Sequence, residues 1–304
     1  MVEGRAYRRA VRLAGRPVLV EVRAVGSVDA PELVVRVLHV GSGTGRDEGA
    51  IGDEGIGDGG AIGDRGAICD EGIGALAARE VGRWLRIDED PRELEAVAAA
   101  DPILGALVRR LRGARSPIMP SPFEALVWAI LGQQINLPFA YRLKRALVER
   151  YGERLEHDGR TYHLFPAPAA LASADPAELR ALQFSRQKSE YVRALAELVA
   201  AGGIDWAGVA GLPSDEAVAA LARLRGVGRW TAEYVCMRGL GMGDVIPAAD
   251  VGLRAAIGRA YGFGRNATEP EVRALAERWT GWRSHAAYCW WYSLALDRAG
   301  AGAP

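Results

Sequence analysis

The chain has 304 residues, equal numbers of acidic and basic side chains, a formal net charge of zero and 49% hydrophobic residues. This length allows two domains with separate cores, and the absence of an apolar run of membrane-spanning length argues against a membrane protein. Its cysteines, Cys69, Cys236 and Cys289, lack the paired spacing of a zinc or iron–sulfur site. We expect Cys236 and Cys289 to be reduced core residues.

The zero net charge hides a local imbalance. Residues 46–74 contain eight acidic and two basic side chains, a local charge of −6, so the rest of the chain carries +6. A basic surplus of this kind is typical of a protein that binds nucleic acid. Part of the surplus is the cluster Arg109, Arg110, Arg112 and Arg115, for which a solvated helix face and phosphate contact are both open.

The first elements in the chain are predicted strands. Residues 18–23 and 33–38 are rich in β-branched side chains, and Gly26-Ser27-Val28-Asp29 between them is typical of a turn. A further strand is expected at Tyr7-Arg8-Arg9. The sequence therefore predicts a small antiparallel sheet within an N-terminal domain of residues 1–83.

Residues 41–74 form an acidic, low-complexity segment rich in Gly and Asp. Isoleucines recur every five or six residues, at 51, 56, 62, 68 and 73. A β-solenoid or a glycine–aspartate calcium repeat can have such spacing, but these short units lack caps and the full ligand pattern. The composition favours an acidic insertion between strands, to which we assign no function.

From Ala75 the hydrophobic period becomes helical and stays so, which predicts a helical domain of residues 84–304. A helix is expected over 91–100, and Asp101-Pro102 is typical of an N-cap followed by proline at the first helical position. A helix over 123–131 is interrupted at 132–136 and restarts at Pro138. Another is expected over 191–200.

Residues 215–240 have the pattern of two helices joined by a tight hairpin. The glycines of Gly226-Val227-Gly228 permit a sharp turn that exposes main-chain N–H groups at the start of the second helix. Such groups suit one phosphate of a DNA backbone and read no base sequence. The tripeptide alone is equally consistent with a steric role. An apolar run and Pro247 then lead to Asp250, eighteen residues after Ala232.

In combination these motifs resemble the helix-hairpin-helix (HhH-GPD) DNA glycosylases, and within them the DNA-3-methyladenine glycosylase II branch. The resemblance covers residues 84–292 and rests on the order of its motifs: Asp101-Pro102, Pro122-Phe123-Glu124-Ala125-Leu126, Ile130-Leu131-Gly132-Gln133-Gln134-Ile135, the hairpin, Asp250, and Trp282-Arg283-Ser284. It implies a mainly α fold with a small α+β N-terminal domain, in which a short antiparallel sheet precedes the helical glycosylase fold. We expect the first strand and helix of the branch's usual N-terminal domain to be missing.

The resemblance also implies an activity: hydrolysis of the N-glycosidic bond of alkylated purines of the 3-methyladenine type, after base flipping in double-stranded DNA. The transition state resembles an oxocarbenium ion, which a carboxylate beside the sugar stabilises. Asp250 is the candidate catalytic residue, and a plain N-cap is the alternative. Relatives that also cut the strand use a lysine two residues after the second glycine. Trp230 stands there, so we expect no AP lyase activity.

Other site residues follow from the same resemblance. Gln133 or Gln134 is expected to fill the gap left by the flipped nucleotide, with a polar helix cap as the alternative. A cationic base stacks well on aromatic faces, so an aromatic cluster is expected to bind it. The expected base-binding residues are Trp230, Tyr234 and Trp291, and the expected DNA-backbone contacts are Gly226, Val227, Gly228, Arg229 and Thr231.

Two other functions stay open: a glycosylase of this fold for a deaminated or oxidised base, and a non-catalytic module that binds damaged DNA. A zinc deaminase is excluded because its His-x-Glu and Pro-Cys-x-x-Cys spacings are absent. We expect no protein-ligated metal and no cofactor, although the resemblance implies a monovalent cation held by hairpin carbonyls. A cytoplasmic, nucleoid-associated monomer is expected.

Overall fold

The computed structural model describes residues 2–3, 6–26, 32–41 and 70–300. Most of the predicted acidic insertion, including Cys69 and four of its five isoleucines, lies outside these residues. The chain divides into two compact units: Met1–Val81 with Gln134–Val209, and Gly82–Gln133 with Ala210–Pro304. The boundary predicted between residues 83 and 84 stays a prediction.

The N-terminal strands form an antiparallel sheet in the order β1 (Val2–Glu3), β2 (Ala6–Leu13), β3 (Arg16–Ala24) and β4 (Leu33–Val40). Ala14 and Gly15 join β2 to β3 with φ angles of 47° and 72°, as a two-residue hairpin requires. Glu21 of β3 is buried, and hydrogen bonds from Arg23 and Arg8 lower its pKa to about 2. The predicted antiparallel sheet is confirmed.

The first unit also contains helices and a second hairpin. Helix α1 (Asp70–Leu85), which continues past Val81 into the second unit, begins five residues earlier than predicted, and its Ile73 is fully buried. Strands β5 (Arg154–His157) and β6 (Arg160–His163) were not predicted, although the Asp158-Gly159 turn between them is a strong hairpin signal. The remaining helices are α5 (Leu137–Tyr151), α6 (Pro168–Ala172), α7 (Pro176–Ala181), α8 (Arg186–Ala200) and α9 (Trp206–Ala210).

The second unit is helical in its described residues. Its core includes Leu104, Ile257 and Trp279, each with no exposed surface. Within it α11 packs against α4 and α10, and α12 packs against α14. The elements are α2 (Pro91–Ala98), α3 (Pro102–Arg110), α4 (Pro122–Gly132), α10 (Ser214–Ala222), α11 (Arg229–Arg238), α12 (Val251–Ala260), α13 (Glu269–Ala276), a 3₁₀ turn (Glu277–Trp279) and α14 (Arg283–Gly300).

Asp101 shows why a helix starts where the sequence predicted. Its carboxylate accepts hydrogen bonds from the main-chain N–H groups of the first turn of α3, and from Tyr261 Oη at 2.5 Å and Trp279 Nε1 at 3.2 Å. Burial acts to raise the pKa of Asp101, but these hydrogen bonds outweigh it and the pKa is lowered. The buried carboxylate of Asp101 therefore connects the start of α3 to Tyr261 and Trp279.

None of the helices within the described ranges combines the length and the apolar character needed to cross a membrane.

Candidate active site

The hairpin between α10 and α11 has the shape that its glycines predicted, but they serve different purposes. Gly226 has a φ of +86°, in the left-handed region where a side chain is strained. Gly228 is the extended N-cap of α11, and a Cβ atom added there would meet no atom within 4 Å. Gly228 therefore leaves open space in front of the N-terminus of α11, where an anion can approach the main chain closely.

The two glutamines after α4 differ in their surroundings. Gln133 caps the helix and its Nε2 donates to the carbonyl oxygen of Gly226 at 3.3 Å and to Oγ1 of Thr231 at 3.1 Å. Gln134 is exposed and has a φ of +57°. Gln133 is thus bound to the hairpin, whereas Gln134 projects from the end of the helix without that restraint.

Asp250 caps the N-terminus of α12 and is held by N–H groups on both carboxylate oxygens. Its Oδ1 accepts from the main-chain N–H of Leu253 at 2.8 Å and from Trp291 Nε1 at 2.9 Å. Its Oδ2 accepts from Trp230 Nε1 at 3.3 Å. The carboxylate is half-buried and accepts hydrogen bonds from two indole rings, so the N-cap is also a candidate site group.

The predicted aromatic residues converge on this carboxylate. Tyr234 is buried, with its ring centroid 5.6 Å from that of Trp230 and 6.1 Å from that of Trp291. Trp230 and Trp291 each keep part of their surface accessible. Because both indole N–H groups are directed at Asp250, the orientation of the rings is coupled to that of the carboxylate.

Ser284, Asp244 and Arg283 hold the loop that leads to Asp250, a role that sequence reasoning missed. The Ser284 hydroxyl lies 2.7 Å from the Met242 carbonyl oxygen and 2.8 Å from that of Val245, and accepts from the Val245 N–H at 3.1 Å. Asp244 accepts from the Gly281 N–H at 2.8 Å and from Arg283 Nη1 at 3.3 Å. The only signal in the sequence was the position of Trp282-Arg283-Ser284 within the motif order.

Glu233 is a second group that sequence reasoning missed. It lies on α11 between Trp230 and Tyr234, and its side chain is 3% exposed. Burial raises its pKa even though hydrogen bonds from Arg229 and Arg273 oppose this. Glu233 belongs to none of the motifs that carry the family resemblance, so the sequence did not mark it as a candidate.

In the predicted arginine cluster, the structure distinguishes Arg115 from Arg109 and Arg110. Arg115 donates to the main-chain oxygens of Arg86 and Glu89 at 3.0 and 2.6 Å, whereas Arg109 and Arg110 are exposed.

Burial raises the thiol pKa of both Cys236 and Cys289 to about 12, as expected of reduced core residues. No cluster of three or more metal-ligating side chains occurs among the described residues.

Comparison with known proteins shows which sequences this chain is similar to. A family model described as "HhH-GPD superfamily base excision DNA repair protein" matches residues 127–281. A DNA-3-methyladenine glycosylase of Bacillus subtilis (strain 168) is 36% identical over 70% of this chain and 71% of its own length.

Two solved structures are also similar. The 3-methyladenine DNA-glycosylase from Archaeoglobus fulgidus has a TM-score of 0.76 and 27% identity, covering 96% of this chain and 88% of its own. The Schizosaccharomyces pombe 3-methyladenine DNA glycosylase Mag1, in complex with abasic DNA, has a TM-score of 0.55 and 25% identity, covering 66% of this chain and 95% of its own.

Proposed function

Because the chain belongs to the HhH-GPD superfamily of base excision DNA repair proteins, we propose that its site removes alkylated purines from duplex DNA with Asp250 as the catalytic carboxylate. The protein is an N-glycosylase of the 3-methyladenine branch that acts in base excision repair, as its relatives are. The observation that carries the proposal is the Asp250 carboxylate between Trp230 and Trp291, next to the buried Tyr234.

Asp250 would act at the sugar. As the glycosidic bond breaks, positive charge develops on the deoxyribose, and a fixed carboxylate beside it lowers the energy of that state. Hydrogen bonds from Leu253, Trp291 and Trp230 hold both oxygens in place before DNA arrives. The site therefore has no need to reorient this group during the reaction, and the same carboxylate can orient the attacking water.

The indoles would bind the leaving base. An alkylated purine carries positive charge, so it stacks on aromatic faces with a gain of roughly 0.5–2 kcal/mol. The N–H edges of Trp230 and Trp291 are directed at Asp250, and their ring faces are the surfaces that a base can contact. A cationic base is already a good leaving group, so the reaction requires no general acid.

Trp230 supports a monofunctional reaction. It occupies the position at which bifunctional relatives have the lysine that forms a Schiff base, and the indole nitrogen cannot serve as that nucleophile because its lone pair belongs to the aromatic ring. In this chain that nitrogen donates to Asp250 instead. The product is therefore an abasic site in an uncut strand.

The hairpin and Gln134 would hold the DNA. Gln133 binds Gly226 and Thr231, so Gln134 is the better candidate to enter the stack in place of the flipped nucleotide. Gly228 leaves the N-terminus of α11 open to a backbone phosphate. DNA as the partner is supported by the complex of Mag1 with abasic DNA. The monomeric state and the cytoplasmic, nucleoid-associated location stay predictions.

The monovalent cation at the hairpin remains part of the proposal. Main-chain carbonyls would hold it, and the Gly226 oxygen, which accepts one hydrogen bond from Gln133, keeps a second lone pair. Such an ion would add positive charge near a bound phosphate.

Base release from methylated duplex DNA tests the proposal. Wild-type protein is incubated with duplexes that contain 3-methyladenine or 7-methylguanine, and with duplexes that contain uracil or 8-oxoguanine. Released bases are separated by chromatography, and strand cutting is measured before and after alkali. We expect free methylpurines, strand cutting only after alkali, and no protein–DNA adduct after borohydride reduction.

Other outcomes identify the alternatives. Release of uracil or 8-oxoguanine without methylpurines would show a glycosylase for another lesion. Tight binding to the methylated duplex without release of any base would show the damage-binding module. Strand cutting without alkali, with a borohydride-trapped adduct, would contradict the monofunctional reaction.

A further inference from the structure

Glu233 joins two arginines from different helices. Its Oε1 accepts from Arg229 Nε at 2.9 Å and from Arg273 Nη2 at 2.8 Å. Its Oε2 is buried and has no hydrogen-bond partner in the described part of the chain. A carboxylate this deeply buried is costly unless it is strongly bound, so the two guanidinium groups account for its place in the unit.

Arg229 is the member of this network that DNA can reach. It is the first residue of α11, directly after Gly228, and its side chain is 58% exposed. Its bond to Glu233 uses Nε, while its two Nη groups form no hydrogen bond to another described residue. A guanidinium held by its Nε edge still presents the donors that bind a phosphate in a bidentate manner.

Arg273 keeps the acceptor in place. It lies on α13 and also binds Glu269, through Nε at 3.0 Å and Nη2 at 2.6 Å. Its side chain is 27% exposed, less than half the exposure of Arg229. The chain of contacts therefore runs from Glu269 through Arg273 and Glu233 to Arg229, with Glu233 as its buried member and Arg229 as its most exposed one.

This arrangement differs from an ordinary helical ion pair. Arg229 and Glu233 are four residues apart, and such pairs on an exposed helix face contribute only about 0.3–0.5 kcal/mol because both partners stay solvated. Here the acceptor is buried and shared with an arginine of another helix. Glu233 therefore restricts the rotamers of Arg229 more strongly than a solvated partner can.

We propose that Glu233 is a positioning residue, which holds Arg229 with its Nη groups ready to bind a DNA backbone phosphate beside the hairpin. A free arginine loses much of its side-chain freedom when it binds a phosphate, and the tether imposes part of that loss before DNA arrives. The role rests on the proposed binding of duplex DNA, but not on the chemistry at Asp250.

A double-mutant cycle tests the tether. Binding of undamaged duplex DNA is measured by fluorescence anisotropy for wild type, Glu233→Gln, Arg229→Ala and the double variant. We expect Arg229→Ala to weaken binding roughly threefold to tenfold and to lower the salt slope by about 1, as for loss of one phosphate contact. Glu233→Gln should weaken binding about twofold to fivefold, and should have no further effect once Arg229 is replaced.

Glu269→Gln is the matched control. It removes one negative charge from the same network but leaves the contact between Glu233 and Arg229 intact. By charge alone both glutamine substitutions would tighten DNA binding, so weaker binding by Glu233→Gln indicates either a lost tether or a structural change, and the double-mutant cycle separates the two. We expect Glu269→Gln to leave the Kd unchanged or slightly lower, and thermal unfolding of each variant checks that the unit stays folded.

Two results would overturn the tether. If Glu233→Gln binds DNA as tightly as wild type or more tightly, Glu233 is a bystander or a competitor of the phosphate. If the substitution weakens binding equally in the presence and absence of Arg229, Glu233 has a general structural role. Base release at saturating DNA is measured separately. If the wild-type protein releases no base, the proposed glycosylase activity is wrong, and the double-mutant cycle for DNA binding still tests the role of Glu233.

Discussion

Replacing Trp291 by phenylalanine removes one indole N–H from Asp250 and keeps an aromatic ring in the cluster. The lost contact is the hydrogen bond from Nε1 to Oδ1, at 2.9 Å. Asp250 would then retain the Leu253 N–H at 2.8 Å and the longer Trp230 contact at 3.3 Å. We expect the carboxylate to become less well oriented, and base release to slow.

The size of the effect follows from the type of bond. A hydrogen bond to a charged group contributes about 1.5–3 kcal/mol, and each 1.36 kcal/mol in the barrier is a factor of ten in rate. Trp291→Phe should therefore lower the rate of base release roughly tenfold to hundredfold. Binding of undamaged duplex DNA should change little, because the proposed phosphate contacts lie at the hairpin.

Trp230→Phe is the matched comparison. It also removes one indole from the ring cluster around Tyr234, so both variants lose a similar stacking surface. Its contact with Asp250 is 3.3 Å, at the long end of the range for a hydrogen bond. We expect a smaller loss, below about tenfold, since the weaker bond contributes less. Single-turnover release of 7-methylguanine from duplex DNA, with enzyme in excess, measures both rates.

The relative rates of base release by Trp291→Phe and Trp230→Phe test the role of the hydrogen bond to Oδ1. If Trp230→Phe slows release as much as Trp291→Phe or more, the hydrogen bond to Oδ1 does not set the rate. If neither variant slows release, the orientation of Asp250 by the indoles is irrelevant to the chemistry.

Two further predictions concern groups outside the ring cluster. Ser284→Ala removes the hydroxyl that holds Met242 and Val245, so we expect a loss of about 1–3 kcal/mol in unfolding free energy and a lower kcat with unchanged KM. Ser293→Ala, which loses one hydrogen bond within α14, is the control, and an equal effect would refute the loop role. Burial acts to raise the pKa of Glu89, but hydrogen bonds from His285 and Arg86 lower it from 4.5 to about 2. Urea unfolding should therefore show stability that is present above pH 4.5 and lost toward pH 2, at up to about 1.4 kcal/mol per pH unit, and equal slopes in wild type and Glu89→Gln would contradict this.

Much of the fold could be predicted because its signals are local. Proline after a capping side chain marks the start of α3 at Asp101 and of α4 at Ser121. The resemblance also grouped Trp230 and Trp291 with Asp250, and both indoles donate a hydrogen bond to its carboxylate. Trp230 and Tyr234 are four residues apart and so share a face of α11, where their rings lie close together.

The features of the site that were not predicted depend on contacts between residues far apart in the sequence. Nothing local distinguishes Gln133 from Gln134, because the difference is a bond from Gln133 to the hairpin 93 residues away. Ser284 binds a loop about forty residues earlier, and Glu233 binds Arg273 on another helix. The hairpin of β5 and β6 is a different case: its Asp158-Gly159 signal was present, but the helical pattern around it dominated the prediction.

The central claim is that the Asp250 carboxylate does the chemistry, and Asp250→Asn tests it most directly. Asparagine keeps the size of the side chain and one oxygen to accept from Leu253 or Trp291, but it has no charge to stabilise the sugar cation. The measurement is single-turnover release of 7-methylguanine, with DNA affinity measured on the same preparation. We predict unchanged affinity and a loss of release of at least about a hundredfold, by analogy with removing one electrostatic stabiliser from an active site. Release at the wild-type rate by a folded, DNA-binding Asp250→Asn variant would contradict the account.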